Sequence, residues 1–215
     1  MSTAFIVNAI PIVHDAIMSH ESELESLDRA IGDGDHFVNM RRGCETITAI
    51  KNDLKNLTPD AALHQIGLKL LSTVGGASGP LLASFFMAMA KASKENRHLA
   101  KQPLLNTAAA FAGGVQAIMQ RGRSNLGEKT MLDVLIPVST LLTTLAAQNT
   151  PPHELYQALK LAANKGVLST RDLVATKGRA AFLGERAIGH IDPGAKSCQI
   201  MIEAVCDLAL RGSFN

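Results

Sequence analysis

Residues 70–90, LLSTVGGASGPLLASFFMAMA, run between Lys69 and Lys91 for 21 positions without a charge, and the reading of this stretch decides the fold. Its length and apolar character fit a single membrane-spanning helix, which needs about 20 such residues. Its middle argues otherwise. Gly75, Gly76, Gly79 and Pro80 interrupt the run, with Ser72, Thr73, Ser78 and Ser84 around them. Breakers at mid-bilayer would leave backbone groups unsatisfied in lipid. The stretch reads instead as one buried helix, a glycine turn and the start of a second buried helix.

The same punctuation recurs along the chain. Thr58-Pro59, Gly79-Pro80, Gln102-Pro103, Thr150-Pro151 and Asp192-Pro193 each read as a helix start, where the missing proline N–H costs nothing. Thr58, Thr150 and Asp192 supply N-cap side chains. Apolar residues between the starts recur at helical spacing, as in Leu63, Ile66 and Leu70, or Val115, Ile118 and Met119. No period of two is sustained. The pattern predicts helices near 3–19, 22–28, 36–53, 59–73, 79–94, 103–121, 129–147, 151–168 and 193–211, with kinks at Pro11 and Pro137. No repeat or low-complexity linker divides the chain, so residues 1–215 are expected to form one domain.

Composition excludes several classes. Hydrophobic residues are 47% and charged residues 19%, enough for a core and too apolar for disorder. With no Trp, one Tyr and seven Phe, β-sandwiches and single-stranded nucleic-acid platforms are disfavoured. A net charge of +2 is too small to drive binding to a phosphate backbone. Cys44, Cys198 and Cys206 are odd in number and show no CxxC spacing, which suits free thiols in a reducing compartment. The beginning, MSTAFIVNAIPIVHDAIM, lacks a basic segment and carries Pro11, His14 and Asp15, so no signal peptide is expected. A cytoplasmic protein with neither nucleic acid nor membrane as partner is the expectation.

Glycine and charge concentrate in DRAIGDGDH (28–36), VGGASG (74–79), RGRSNLGEKT (121–130) and ATKGRAAFLGERAIGHIDPGAKS (175–197). In an antiparallel bundle alternate loops reach the same end, so several of these are expected to meet there. Asp28, Asp33 and Asp35 with Gly32 and Gly34 allow two readings. Crowded carboxylates repel unless a cation neutralises them, and oxygen-only ligands suit Mg²⁺ or Ca²⁺; Asp and Gly are equally ordinary in a helix-ending turn. VGGASGP likewise fits an anion site at a helix N-terminus or a tight inter-helix turn. IGDGDHF lacks the third glycine of a dinucleotide fingerprint, and GHIDPGAKS has one residue too many for a P-loop. Arg121, Arg123, Lys129, Lys177, Arg179 and Arg186 can neutralise phosphates or serve as solvated surface charge. His36 and His190 stand in glycine-dense loops, but no Ser-His-Asp or Cys-His arrangement suggests covalent catalysis. An acidic cluster, a glycine turn and arginines together fit Mg-nucleotide binding.

LDRAIGDGDHFVNMRRG (27–43), VGGASGPLLASFF (74–86), GEKTMLDVLIPV (127–138) and KGRAAFLGERAIGHIDPGAKS (177–197) resemble the four signature segments of the dihydroxyacetone kinase L-subunit family, in the family's order. The resemblance implies an all-α fold of eight antiparallel helices forming a closed barrel, with nucleotide and metal at one end. It implies that Asp28, Asp33 and Asp35 are ligands of two magnesium ions. It assigns nucleotide contact to His36, Phe37, Val38, Asn39, Ala77, Ser78, Gly122, Thr130, Met131, Arg179, Asp192, Pro193 and Gly194. Arg179 would stabilise the phosphoryl group, Met131 would cover the adenine, and no self-contained catalytic base is expected.

Within the family, the 215-residue length resembles the free-standing L subunit of a phosphoenolpyruvate-dependent system. Its ADP is a tightly bound coenzyme, phosphorylated to ATP by a phosphohistidine M subunit, and dihydroxyacetone is held on a K subunit. Two alternatives remain: a subunit using freely exchanging ATP on dihydroxyacetone or another short ketose, and a non-catalytic regulatory subunit that partners a transcriptional regulator. One position departs from the family, which reads D-H-G where this chain has Asp35-His36-Phe37. The expectation is that Phe37 points away from the phosphates and the site survives.

Overall fold

Residues 1–99 and 101–212 are described in the computed structural model. Among them the chain forms ten α-helices and no strand. Helix α1 (Thr3–Ser19) starts at Ser2, whose hydroxyl accepts the Phe5 N–H at 3.2 Å. It continues through Pro11. Helices α2 (Glu21–Ile31) and α3 (His36–Ala49) follow, then the single turn α4 (Lys51–Leu54), α5 (Pro59–Thr73) and α6 (Ser78–Glu95). Helices α7 (Pro103–Gly122), α8 (Leu132–Ala147, continuous through Pro137), α9 (Pro152–Ser169) and α10 (Pro193–Gly212) complete the set. Short 3₁₀ segments occupy Arg97–Leu99, Thr170–Asp172 and Arg179–Ala187.

Eight helices form a ring in which α1, α3, α5, α6, α7, α8, α9 and α10 each pack on the next, and α10 packs back on α1. Short connections between consecutive members make the neighbours antiparallel. The end from which α1 departs is tied by Thr3, whose hydroxyl donates to the Leu57 carbonyl at 2.8 Å, and by the Met1 amine, 3.5 Å from the Pro103 carbonyl. The glycine-rich loops lie at the other end.

Small residues let the helices approach. At Gly166 a Cβ would stand 2.4 Å from the Asp133 carbonyl oxygen and 2.9 Å from Val134 Cα, so α9 meets the backbone of α8 directly. The large core cluster includes Leu63, Ile66, Val115, Ile118, Val134 and Leu155. Within this region Phe85 packs edge-on to Phe86 and Phe111, at centroid distances of 5.3 and 5.4 Å. A second cluster, Ile17, Leu24, Phe37, Met40 and Ile200, joins α1, α2, α3 and α10 beneath the glycine-rich end.

Most helix boundaries agree with the sequence pattern. The region 36–53 divides at Ile50. Helix α8 begins at Leu132 rather than 129, because Lys129 is left-handed at φ 59°. Thr58 occupies its cap position without a side-chain bond, and Pro151 replaces Thr150 as the cap of α9. The three cysteines are free. Burial pushes the Cys44 thiol up to about 11, and Cys198 and Cys206 to about 12. No helix among the described residues is long and apolar enough to cross a membrane.

Candidate functional site

The first loop follows the end of α2. The Gly32 N–H donates to the Asp28 carbonyl at 2.6 Å, and the chain turns through Gly34 at φ 81°. A Cβ at Gly32 would lie 1.8 Å from Asp28 Oδ1, so the glycine leaves room for the carboxylate to fold back. Asp28 Oδ2 accepts the His36 N–H at 2.9 Å, satisfying a free donor at the start of α3. Asp28 is buried while Asp33 and Asp35 are exposed, and one oxygen from each lies within 4.8 Å of the others. Three carboxylates at this spacing fit a hard divalent cation, whose charge offsets their repulsion. Arg179 Nε contacts Asp33 Oδ2 at 2.8 Å and supplies part of that compensation.

The start of α3 connects the triad to two other loops. His36 Nε2 is 3.0 Å from Ser197 Oγ on α10. Burial lowers the His36 pKa, opposed by the Asp28 and Asp35 carboxylates and the Pro193 carbonyl. Asn39 is buried against the glycine turn between α5 and α6. A Cβ on Gly75 would be 3.1 Å from Asn39 Oδ1, and one on Gly76 3.8 Å from Asp35 Oδ2. Gly76 is left-handed at φ 63°. Ala77 is exposed at the end of this turn, and Ser78 opens α6 half-buried, its hydroxyl donating to the Gly75 carbonyl at 3.4 Å. Val38 is exposed on α3. Phe37 is only 1% exposed and turns into the second core cluster.

The remaining loops meet beside α8 and α10. Gly122 ends α7 near Leu81, whose Cδ2 would be 3.5 Å from its Cβ. Buried Asp133 accepts the Gly127 N–H at 2.6 Å and the Thr130 N–H at 2.8 Å, which shapes the turn before α8. The Thr130 hydroxyl accepts the Leu132 N–H at 3.2 Å. Met131 lies against Gly194, with Cβ and Cε each 3.8 Å from where its Cβ would be. Asp192 caps α10 by accepting the Ala195 N–H at 2.7 Å, and Pro193 is buried at the helix start. Burial raises the Asp192 carboxyl to about 7, opposed by the Ala195 N–H bond; Asp133 adds to the rise and Lys129 resists it.

The contacts join all four loops at one end, as the alternation of helices requires. The basic residues divide. Lys129 is buried and bonded to main-chain carbonyls, which removes it from the candidate phosphate contacts. Lys177 pairs with Glu128 at 3.8 Å, and Arg186 Nε donates to the Leu183 carbonyl at 3.4 Å. Arg121 and Arg123 remain exposed. Sequence reasoning passed over Asp133, Thr170 and Ser197. The first had a signal, since Thr130-Met131-Leu132-Asp133 has capping-box spacing; the other two depend on contacts distant in sequence.

Carboxylates, main-chain donors and an arginine converging at one end of a helical ring define an all-α protein equipped to hold a cation beside an anion. Residues 30–207 match the DAK2 domain, and the chain belongs to that family. It is 36% identical over 203 residues to the "PEP-dependent dihydroxyacetone kinase, ADP-binding subunit DhaL" of Escherichia coli (strain K12), covering 94% of this chain and 95% of the relative. It is 37% identical over 197 residues to the "PTS-dependent dihydroxyacetone kinase, ADP-binding subunit DhaL" of Lactococcus lactis, covering 91% and 92%. In structure it is similar to the dihydroxyacetone kinase from C. freundii in complex with AMP-PNP and Mg²⁺, with TM-score 0.72 and 26% identity. That match covers 95% of this chain and 34% of the other, so the chain spans about a third of that kinase.

Proposed function

We propose that this protein is the ADP-binding subunit of a phosphoenolpyruvate-dependent dihydroxyacetone kinase, a cytoplasmic phosphotransferase component, and that residues 1–215 act as one nucleotide-binding domain. The observation that carries the reading is the convergence of Asp28, Asp33 and Asp35 with the glycine turn and the start of α10. Near-complete coverage of relatives named as ADP-binding subunits supports it.

In this reading the three aspartates would hold two magnesium ions, which would supply positive charge against the phosphates. The start of α3, from His36 to Asn39, with Ala77 and Ser78, would lie beside the phosphates. The His36 and Asn39 N–H groups are bonded to Asp28 and Asp35, so the donors offered there are those of Phe37 and Val38. Gly122, Thr130 and Met131 border the nucleoside, and Asp192, Pro193 and Gly194 close the other side. Arg179, paired with Asp33 at 2.8 Å, would neutralise phosphate once the carboxylates hold cations. The chain offers position and charge rather than a nucleophile, as in-line phosphoryl transfer requires. A phosphohistidine M subunit would phosphorylate the ADP, and the resulting ATP would pass its phosphate to dihydroxyacetone on a K subunit.

The test is the nucleotide retained by the purified protein. ADP that survives extensive dialysis supports the coenzyme reading. Rapid exchange with added ATP overturns it in favour of an ATP-dependent kinase for dihydroxyacetone or another short ketose. Failure to bind Mg-ADP by calorimetry would leave the non-catalytic regulatory subunit, with a transcriptional regulator as partner.

A further inference from the structure

Lys129 is 1% exposed. A lysine ammonium has three donor hydrogens and no acceptor, and its burial requires matching acceptors. Nζ donates to the carbonyl oxygens of Thr170 and His190, the latter at 2.6 Å, and stands 3.5 Å from that of Arg171. Thr170 and Arg171 follow the last residue of α9, at the negative end of the helix dipole; the Thr170 carbonyl also accepts the Leu173 N–H at 3.4 Å, and its second lone pair is open to the ammonium. The ammonium therefore caps α9 from a different loop.

Three further bonds extend the connection. The Gly189 N–H donates to the Arg171 carbonyl at 2.8 Å. The Asp192 N–H donates to Thr170 Oγ1 at 3.1 Å, and Asp192 caps α10 through the Ala195 N–H. On the other side, Lys129 directly precedes Thr130 and Met131, and Asp133 accepts the Thr130 N–H at 2.8 Å. Met131 lies against Gly194. The two segments expected to flank the nucleotide, Thr130–Met131 and Asp192–Gly194, are thus linked through one buried ammonium. Burial draws its pKa down, while Asp192, Asp172 and Asp133 favour the charged form.

We propose that Lys129 is a positioning residue for the nucleotide: its ammonium, bound to the carbonyls after α9 and to His190, sets the spacing between Thr130–Met131 and Asp192–Gly194 without touching phosphate. This rests on the nucleotide reading above. It also reverses the role that a lysine in a glycine-rich loop suggests, because the donors face main-chain carbonyls.

Lys129→Met retains most of the aliphatic stem and removes the donors. In the folded variant with Mg²⁺, calorimetry should show AMP and ADP affinities falling by the same factor, roughly tenfold or more, as expected when binding segments are misplaced. Hydrogen exchange of the ligand-free protein should quicken at least tenfold across residues 188–192 and remain unchanged across 74–79. A greater loss for ADP than for AMP would overturn the proposal by placing the ammonium on phosphate. Lowered thermal stability with unchanged affinities would also overturn it, leaving a structural anchor only.

If Lys129→Met does not fold, Thr170→Val removes the hydroxyl that accepts the Asp192 N–H. A smaller equal loss, about threefold for both nucleotides, supports the linkage; unchanged affinity and exchange refute it. If the wild-type protein binds neither nucleotide, the functional reading fails separately. The exchange comparison then still decides whether Lys129 holds the loops.

Discussion

Replacing Phe37 with alanine should cost stability and leave nucleotide binding intact. The ring is 1% exposed and packs with Ile17, Leu24, Met40 and Ile200, while its main-chain N–H stays at the start of α3. An aromatic side chain buries about 150–250 Å², and about 25 cal/mol per Å² makes this roughly 4–6 kcal/mol. The methyl group kept by alanine and partial collapse of the site reduce the expected loss to about 3–5 kcal/mol. The Arg41 guanidinium, 5.7 Å from the ring centroid, contributes about 0.5–1 kcal/mol at most from an exposed position. With m near 2–3 kcal/mol/M, the urea midpoint should fall by about 1–2 M. Calorimetry below the transition should find Mg-ADP affinity within about threefold of the wild type. Phe37→Gly, which restores the D-H-G pattern, should behave alike with about 1 kcal/mol more lost to helix propensity. A stability loss under about 1 kcal/mol would refute the packing argument. A tenfold change in affinity would place the ring against the ligand.

Asp33→Ala should abolish magnesium-dependent nucleotide binding with a melting temperature within a few degrees of wild type, because Asp33 is exposed. Asp28→Ala should also lower stability by about 1–2 kcal/mol, since the His36 N–H loses its acceptor; equal thermal effects would contradict this division. Gly166→Ala should destabilise by more than about 3 kcal/mol in urea titration, because its methyl would meet the α8 backbone at 2.4 Å. Asp192 should impose on the ligand-free protein a downward stability slope as pH rises from about 4 towards 7, opposed by His36, whose lowered pKa favours the folded state as pH rises. Asp192 titrates at about 7 when folded and near 4 when unfolded, so the folded state holds its proton more tightly in that window. Asp192→Asn should flatten this slope in thermal melts, and an unchanged slope would show that Asp192 does not set it.

The helices were legible because proline and glycine act locally. Pro59, Pro103 and Pro193 are the first residues of α5, α7 and α10, where a fixed φ and a missing donor suit the first turn. The acidic triad was visible as a cluster because Asp33 and Asp35 sit two residues apart around Gly34. Whether it was a turn or a metal site depended on Asp28 folding back beside them, a contact made by the end of α2. Lys129 was illegible as a buried group, since nothing near it in sequence provides its acceptors; the residues after α9 and before α10 do. Segment 179–187 read as loop because glycine and charge dominate the stretch around it; its 3₁₀ turns nevertheless bury Ala180 and Ala187, with Leu183 against them, and Gly184 breaks them at φ 57°. The pairing of Arg179 with Asp33 was illegible for the same reason as Lys129. Local chemistry identified the participants, and ring closure determined which of them met.

Because α10 packs against α1, the order of the helices around the ring has no structurally required beginning. Both the departure of α1 and the finish of α10 lie at the end opposite the acidic triad, as does the short turn at residues 148–151 between α8 and α9. A circularly permuted chain, with a flexible linker joining Gly212 to Thr3 and new termini opened in that turn, would keep every helix beside its present neighbours. The backbone could thus be re-threaded without rearranging the four loops that gather at the far end.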